Sequence, residues 1–247
     1  MVSVKLVAIS YWVELKFQTP QHKSATYMSK ALGFLKNQLN VDFRAPLYGV
    51  SANPDQIFKF NYELLTRPEC ETMEDYMHLI PYITLVNVQT GEVFVYSRGK
   101  GGGESRLHGN CSIGLGGHME DPVTATYSIQ DAIVDTIAKE LEEEVGLPNT
   151  PERKDLYRSK LDTNNFNIIL DTTNDVGKVH LGIAMFVVVD PKELGAVEQG
   201  VIERGQWMSI QDLIESHEAK TITLENWSVI VLGVVNSYLS DKLLETA

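Results

Sequence analysis

Apolar residues recur along this chain with two periods, about 3.6 residues and about 2, and the change from one to the other divides it into helices and strands. The run from Val4 to Val13 has no basic stretch ahead of it and no small-residue cleavage site behind it, so it reads as a strand rather than a leader. Met28, Ala31, Leu32, Leu35 and Leu39 recur at helical spacing and predict a helix from Ser24 to Leu39. A short amphipathic segment with Ile57, Phe58, Phe60 and Leu64 follows Pro54, and Arg67-Pro68-Glu69 marks a join.

The rest of the chain carries a denser pattern. Ile83 to Val88 and Val93 to Arg98 are β-rich runs around Gln89-Thr90-Gly91-Glu92, the signature of a hairpin. Ser128-Ile129-Gln130-Asp131 has the spacing of a capping box, and Ile133, Ile137 and Leu141 then lie along one face of a helix, with Val134, Ala138 and Val145 beside them. Gly146 suits the left-handed residue that closes such a helix, and Pro148 blocks its continuation. Phe166 to Leu170 reads as a strand. Val179 to Val189 is a near-continuous apolar run, as for a strand buried on both faces. A strand at Gln206 to Ile210 leads into a short helix from Ser209, and Glu225 to Leu244 forms a terminal helix burying Trp227, Ile230, Val231, Val234, Val235 and Tyr238.

Composition narrows the classes. The chain has 247 residues, 43% hydrophobic and 22% charged, as for an ordinary globular protein with a sizeable core. A net charge of -12 argues against a broad footprint on duplex DNA or RNA. Cys70 and Cys111 stand in no metal-binding spacing and suggest a reducing compartment without disulfides. No segment has the length of an apolar membrane span, so a soluble cytoplasmic protein with no membrane partner is expected.

The chemistry concentrates in Lys139-Glu140-Leu141-Glu142-Glu143-Glu144-Val145-Gly146-Leu147. On a helix, Glu140, Glu143 and Glu144 stand at i, i+3 and i+4, so three carboxylates share one face. A solvated acidic face is the ordinary reading of such a run. A hard divalent cation, Mg²⁺ or Mn²⁺, is the alternative that relieves the crowding. Upstream, the glycines of Gly114-Leu115-Gly116-Gly117-His118-Met119-Glu120 allow close backbone approach.

These residues resemble the box of the Nudix hydrolase family, which runs Gly, five residues, Glu, seven residues, then Arg-Glu-apolar-x-Glu-Glu-x-Gly-apolar. The second half matches position for position, with Lys139 for the usual Arg. In the first half Asp131 stands at the usual Glu, and a longer spacer, including Asp121 to Thr126, separates it from Gly117. The resemblance implies an α/β (α+β) fold, an α/β/α sandwich with a mixed sheet, over residues 76–247. Residues 1–75 would be an N-terminal α/β extension that packs on the catalytic domain, closes its pocket or mediates homodimerisation.

It also implies metal-dependent hydrolysis of a diphosphate linkage in a nucleoside diphosphate joined to another moiety. Glu140, Glu143 and Glu144 would bind metal, with the Gly117 carbonyl or Glu120, and Glu143 or Glu144 would accept the proton of the attacking water. A glutamate of the later acidic segment, Glu198 or Glu203, is the other candidate base. Asp131 and Lys139 would support the box. Arg98, Arg106, His108 and His118 are candidate contacts to the nucleotide, because guanidinium and imidazole suit phosphate oxygens. A surface Arg and a solvated loop His are the plain readings of Arg98 and His108. His180 is a core histidine first and a substrate contact second. Two other functions fit the same fold: a catalytically weak nucleotide sensor, and an isopentenyl diphosphate isomerase. The isomerase places a Cys shortly before a Gly-His pair, whereas Cys111 lies well upstream of Gly117-His118.

Overall fold

The computed structural model of the chain describes residues 17–18, 29–51, 54–101, 107–163 and 165–246. The apolar run from Val4 to Val13, the segment 24–28 and Arg106 lie outside them. In chain order the strands are β1 (Phe17–Gln18), β2 (Lys30–Leu35), β3 (Tyr48–Ser51), β4 (Glu63–Thr66), β5 (Tyr76–Asn87), β6 (Glu92–Arg98), β7 (Cys111–Ser112), β8 (Asn167–Asp171), β9 (His180–Val188), β10 (Val197–Glu198) and β11 (Ile202–Ser209). The helices are α1 (Arg67–Cys70), α2 (Ile129–Val145), α3 (Pro151–Asp162), α4 (Ile210–Glu218) and α5 (Asn226–Thr246).

The sheet is mixed, and β5 is its axis. β5 runs parallel to β9 in a register that sets His78 opposite His180 and Val86 opposite Val188. Its other edge is shared, antiparallel, between β2 at one end and β6 at the other. The full order is β11-β6-β5-β9-β8-β3, with β2 joined by β4 and β6 by β7. The expected hairpin is present as β5 and β6, closed at Gly91 with φ 71.

Alternation along the central strands feeds two cores. Ile83, Leu85, Ile183 and Met185 face α2, and Tyr82, Val86, Ala184 and Phe186 face α4 and α5. The result is the expected α/β/α sandwich. Ile133, Ile137 and Leu141 of α2 are at most 1% exposed, and burying each contributes about 1.5–3 kcal/mol. Ser128 caps α2 through a capping box with Asp131, and Gly146 ends it with φ 66. That packed stripe fixes which way the glutamates of the last turn point. Leu32, Phe34, Leu39 and Ile57 belong to the same core as α2, so the strands of residues 30–66 are packed into the sandwich.

The helix expected from Ser24 to Leu39 is corrected within the described part of that segment. Lys30–Leu35 is β2 and Lys36–Gln38 a single 3-10 turn. Ala31, Leu32, Gly33 and Phe34 are buried consecutively, which fits a strand covered on both faces. At Gly33 a Cβ would stand 2.2 Å from the Met77 carbonyl oxygen, so the backbones lie close there. The same apolar residues satisfy helical spacing, and the pairing with β4 and β5 overrides it. Helix α3 shows the opposite case, a helix with no apolar periodicity to announce it. Thr150 caps it and Pro151 opens it, but only Tyr157 and Leu161 are buried, too little to leave an apolar stripe.

Candidate active site

The last turn of α2 faces the loop Gly114–Glu120 across a narrow gap. The Gly116 N–H donates to Glu144 Oε2 at 3.1 Å. Gly116 has φ 146, and a Cβ there would stand 2.0 Å from the Pro81 carbonyl oxygen. At Gly117 a Cβ would come within 2.9 Å of the Glu140 carboxylate, which lies directly against the backbone. Glycine is required at both positions, first by conformation and space, then by the carboxylate that occupies the place of a side chain.

Burial sets the electrostatics. Glu144 is 5% exposed. Burial first, then Glu140 and Glu198, hold its carboxyl well above the ordinary range against the pull of Arg98 and the Gly116 N–H. Burial also raises Glu140, and Glu143 and Glu120 add to the effect while Lys139 opposes it. The Lys139 ammonium stands 3.4 Å from Glu140 Oε1. Its burial works to lower its proton affinity, and Glu140, Glu143 and Glu120 outweigh that. Among the described residues Glu144 forms no ion pair. This corner therefore holds more carboxyl groups than cations to pair with them.

A cavity of about 670 Å³ opens onto these groups. Glu140, Glu143, Glu144, Gly117, Glu120 and Lys139 line it, as do His118, Arg98 and Glu198. Glu143 is exposed. His108 and Glu203 are not among the lining residues, and Arg106 lies outside the described residues. Asp131 is engaged elsewhere: it closes the N-cap with Ser128 and pairs with Arg158 of α3.

Two features of the cavity were not legible in the sequence. Arg98 Nε pairs with Glu225 Oε2 at 2.6 Å, and Glu225, 3% exposed, also accepts from Ser112 Oγ at 2.6 Å and Tyr82 OH at 2.9 Å. The four groups come from three strands and the entry to α5, so no local spacing announces them. The second is a histidine cluster. Among the described residues, Glu71, His78, His118 and His180 present ligating atoms that all lie within 4.8 Å of one another, a set that does not include the α2 glutamates. Burial, then His180, pushes His78 down to about 3, and burial, then Arg67 and the other two rings, holds His118 well below its ordinary value. Both are neutral imidazoles near neutral pH.

No family model matches the chain. It is 30% identical over 174 residues to Protein YmaB of Bacillus subtilis (strain 168), an alignment that covers 70% of this chain and 78% of that protein. Among solved structures it is similar to Tm1382, a candidate Nudix hydrolase, with TM-score 0.51 and 17% identity over 85% of this chain and 99% of that one. Identity that low carries fold and not activity. The chain therefore belongs to the family of Protein YmaB and is built on the Nudix hydrolase fold.

Proposed function

We propose that this protein is a hydrolase that cleaves a diphosphate linkage in a nucleoside diphosphate joined to another moiety, with Mg²⁺ or Mn²⁺ as its cation. The observation that carries the reading is the Glu144 carboxylate, buried beside Glu140 and held by a glycine-loop amide on the wall of the cavity. Like-charged carboxylates in a desolvated corner suit a hard divalent cation, because the donors are oxygens and outnumber Lys139 and Arg98, the cations beside them. Glu140, Glu143 and Glu144 would hold it, with the Gly117 carbonyl or Glu120 alongside. When bound, such a cation neutralises charge on phosphate oxygens and lowers the pKa of a coordinated water.

The chain's own groups supply the remainder. Glu143, exposed on the cavity wall, is the carboxylate best able to take a proton from the attacking water, and Glu198 on the same cavity is the second candidate. Arg98 is anchored to Glu225 through Nε and one terminal nitrogen, and it lines the cavity, where its guanidinium would meet a phosphate oxygen. His118 lies on the same wall, but its Nε2 is turned to His78 and His180, so only its other edge could meet the nucleotide. The ligand is a small anionic molecule, and on a chain of net charge -12 its phosphates depend on the cation and on placed groups such as Arg98.

The test is a substrate screen across nucleoside triphosphates, nucleotide sugars, ADP-ribose, dinucleoside polyphosphates, NAD(H) and capped RNA with Mg²⁺ or Mn²⁺, products being identified by mass. Release of two phosphorylated fragments by the wild type and not by Glu144→Gln is the expected result. Binding of a nucleotide without cleavage in any of these mixtures would refute hydrolysis.

A further inference from the structure

We infer that Glu71, His78, His118 and His180 form a second cation site, selective for a first-row transition metal of the zinc class and separate from the glutamates of α2. The four residues come from four segments: the end of α1, the start of β5, the glycine loop and the start of β9. The parallel register that sets His78 opposite His180 brings two of the rings together, and the loop lays His118 across them.

The nitrogens are already at coordination spacing. His118 Nε2 lies 3.1 Å from His78 Nδ1 and 3.3 Å from His180 Nε2. Donors about 2.0–2.1 Å from a tetrahedral zinc ion stand about 3.3 Å from one another. Glu71 Oε1, which also pairs with Arg67 Nε at 3.5 Å, is the fourth donor and stands further out, 3.9 Å from His118 Nε2 and 4.0 Å from His180 Nε2. Three imidazoles and one carboxylate suit zinc and its neighbours, whereas an all-oxygen corner suits magnesium.

Proton counting lets all three rings serve one cation. His180 Nδ1 lies 2.6 Å from the Val176 carbonyl oxygen, so its proton belongs there and its Nε2 presents a lone pair to the cluster. A backbone carbonyl behind the ring is the usual brace of a metal-bound histidine. His118 Nε2 stands between that lone pair and His78 Nδ1. With the His118 proton on Nδ1 and the His78 proton on its buried Nε2, three lone pairs converge on one point, and a cation placed there takes them as ligands.

His118 directly follows Gly117, against which Glu140 lies, so occupancy of this site would also brace the loop that supports the α2 glutamates. The site stands whether or not the protein cleaves diphosphates, and its test is spectroscopic. Full-length protein stripped with chelator is titrated with Co²⁺, and the visible spectrum, metal content and thermal melt are recorded, followed by displacement with Zn²⁺.

One Co²⁺ per chain with the intense bands of a tetrahedral centre, displaced by Zn²⁺, is expected. Co²⁺ affinity should fall at least tenfold in Glu71→Gln and in His118→Gln while Glu144→Gln keeps it. His78 lies in the core, so its replacement is not relied on. Glu71, on the rim, preserves volume as Gln, and circular dichroism checks its fold. No stoichiometric uptake, a weak octahedral spectrum, or uptake lost in Glu144→Gln and kept in Glu71→Gln would each overturn the site.

Discussion

The Gly116 N–H donates to Glu144 Oε2 at 3.1 Å, and this bond ties the glycine loop to the last turn of α2. It places a backbone dipole against a carboxylate that burial and Glu140 both disfavour in its charged form. Replacing Glu144 with Gln keeps its size and removes its charge. If the proposed hydrolysis is correct, Glu144→Gln and Glu143→Gln each lower turnover roughly 10²-fold or more, the scale of a lost proton acceptor. Glu142→Gln, at an exposed position off this face, stays within a few-fold. Steady-state kinetics on the substrate found by the screen checks all three.

The two glycines of the loop predict different failures. Gly117→Ala pushes on the Glu140 carboxylate and should lower kcat while the melting temperature barely moves. Gly116→Ala meets the Pro81 backbone and an unfavourable φ of 146. A strained non-glycine backbone of this kind costs about 1–3 kcal/mol before the clash is counted. A melt that drops for Gly116→Ala and holds for Gly117→Ala is the expected pattern.

The Arg98–Glu225 pair is buried deeply enough that removing one partner exposes the loss. Glu225→Gln leaves the guanidinium without its counter-charge and leaves Ser112 and Tyr82 with a weaker acceptor. Breaking a buried pair in this way costs about 3–5 kcal/mol. Chemical denaturation should show the loss, and the double replacement Arg98→Met with Glu225→Gln should recover part of it.

Helix α2 should show a pH-dependent cap. Hydrogen bonds from Ser128, side chain first and backbone second, hold Asp131 below the usual carboxylate range, and Arg158 adds to this. A depressed folded value means the contribution is fully present above the unfolded carboxylate pKa, about 3.9, and disappears as pH falls through the folded value. Because Asp131 is more than a third exposed, screening limits the effect. Asp131→Asn should cost no more than about 1 kcal/mol at pH 7, and the gap to the wild type should close below about pH 4. Urea denaturation across that range measures it.

Helix α2 was legible because every signal for it is local: a capping box, an apolar stripe, a left-handed glycine and a proline all lie within a few residues of the elements they specify. The same holds for the β5–β6 hairpin, the doubly buried β9 and the shared face of Glu140, Glu143 and Glu144. Helix α3 leaves little trace in the sequence because it buries only two side chains, and β2 reads as a helix because its apolar positions satisfy both periods.

The partners of buried polar groups could not be read along the chain. His78 meets His180 through the register of two parallel strands, and Arg98 finds Glu225 at the mouth of a helix that begins over a hundred residues later. Covalent spacing specifies which face of an element is apolar and where it stops. Which charges and lone pairs come to share a point depends on strand order and register, and those are settled by the burial of the sheet's two faces as a whole.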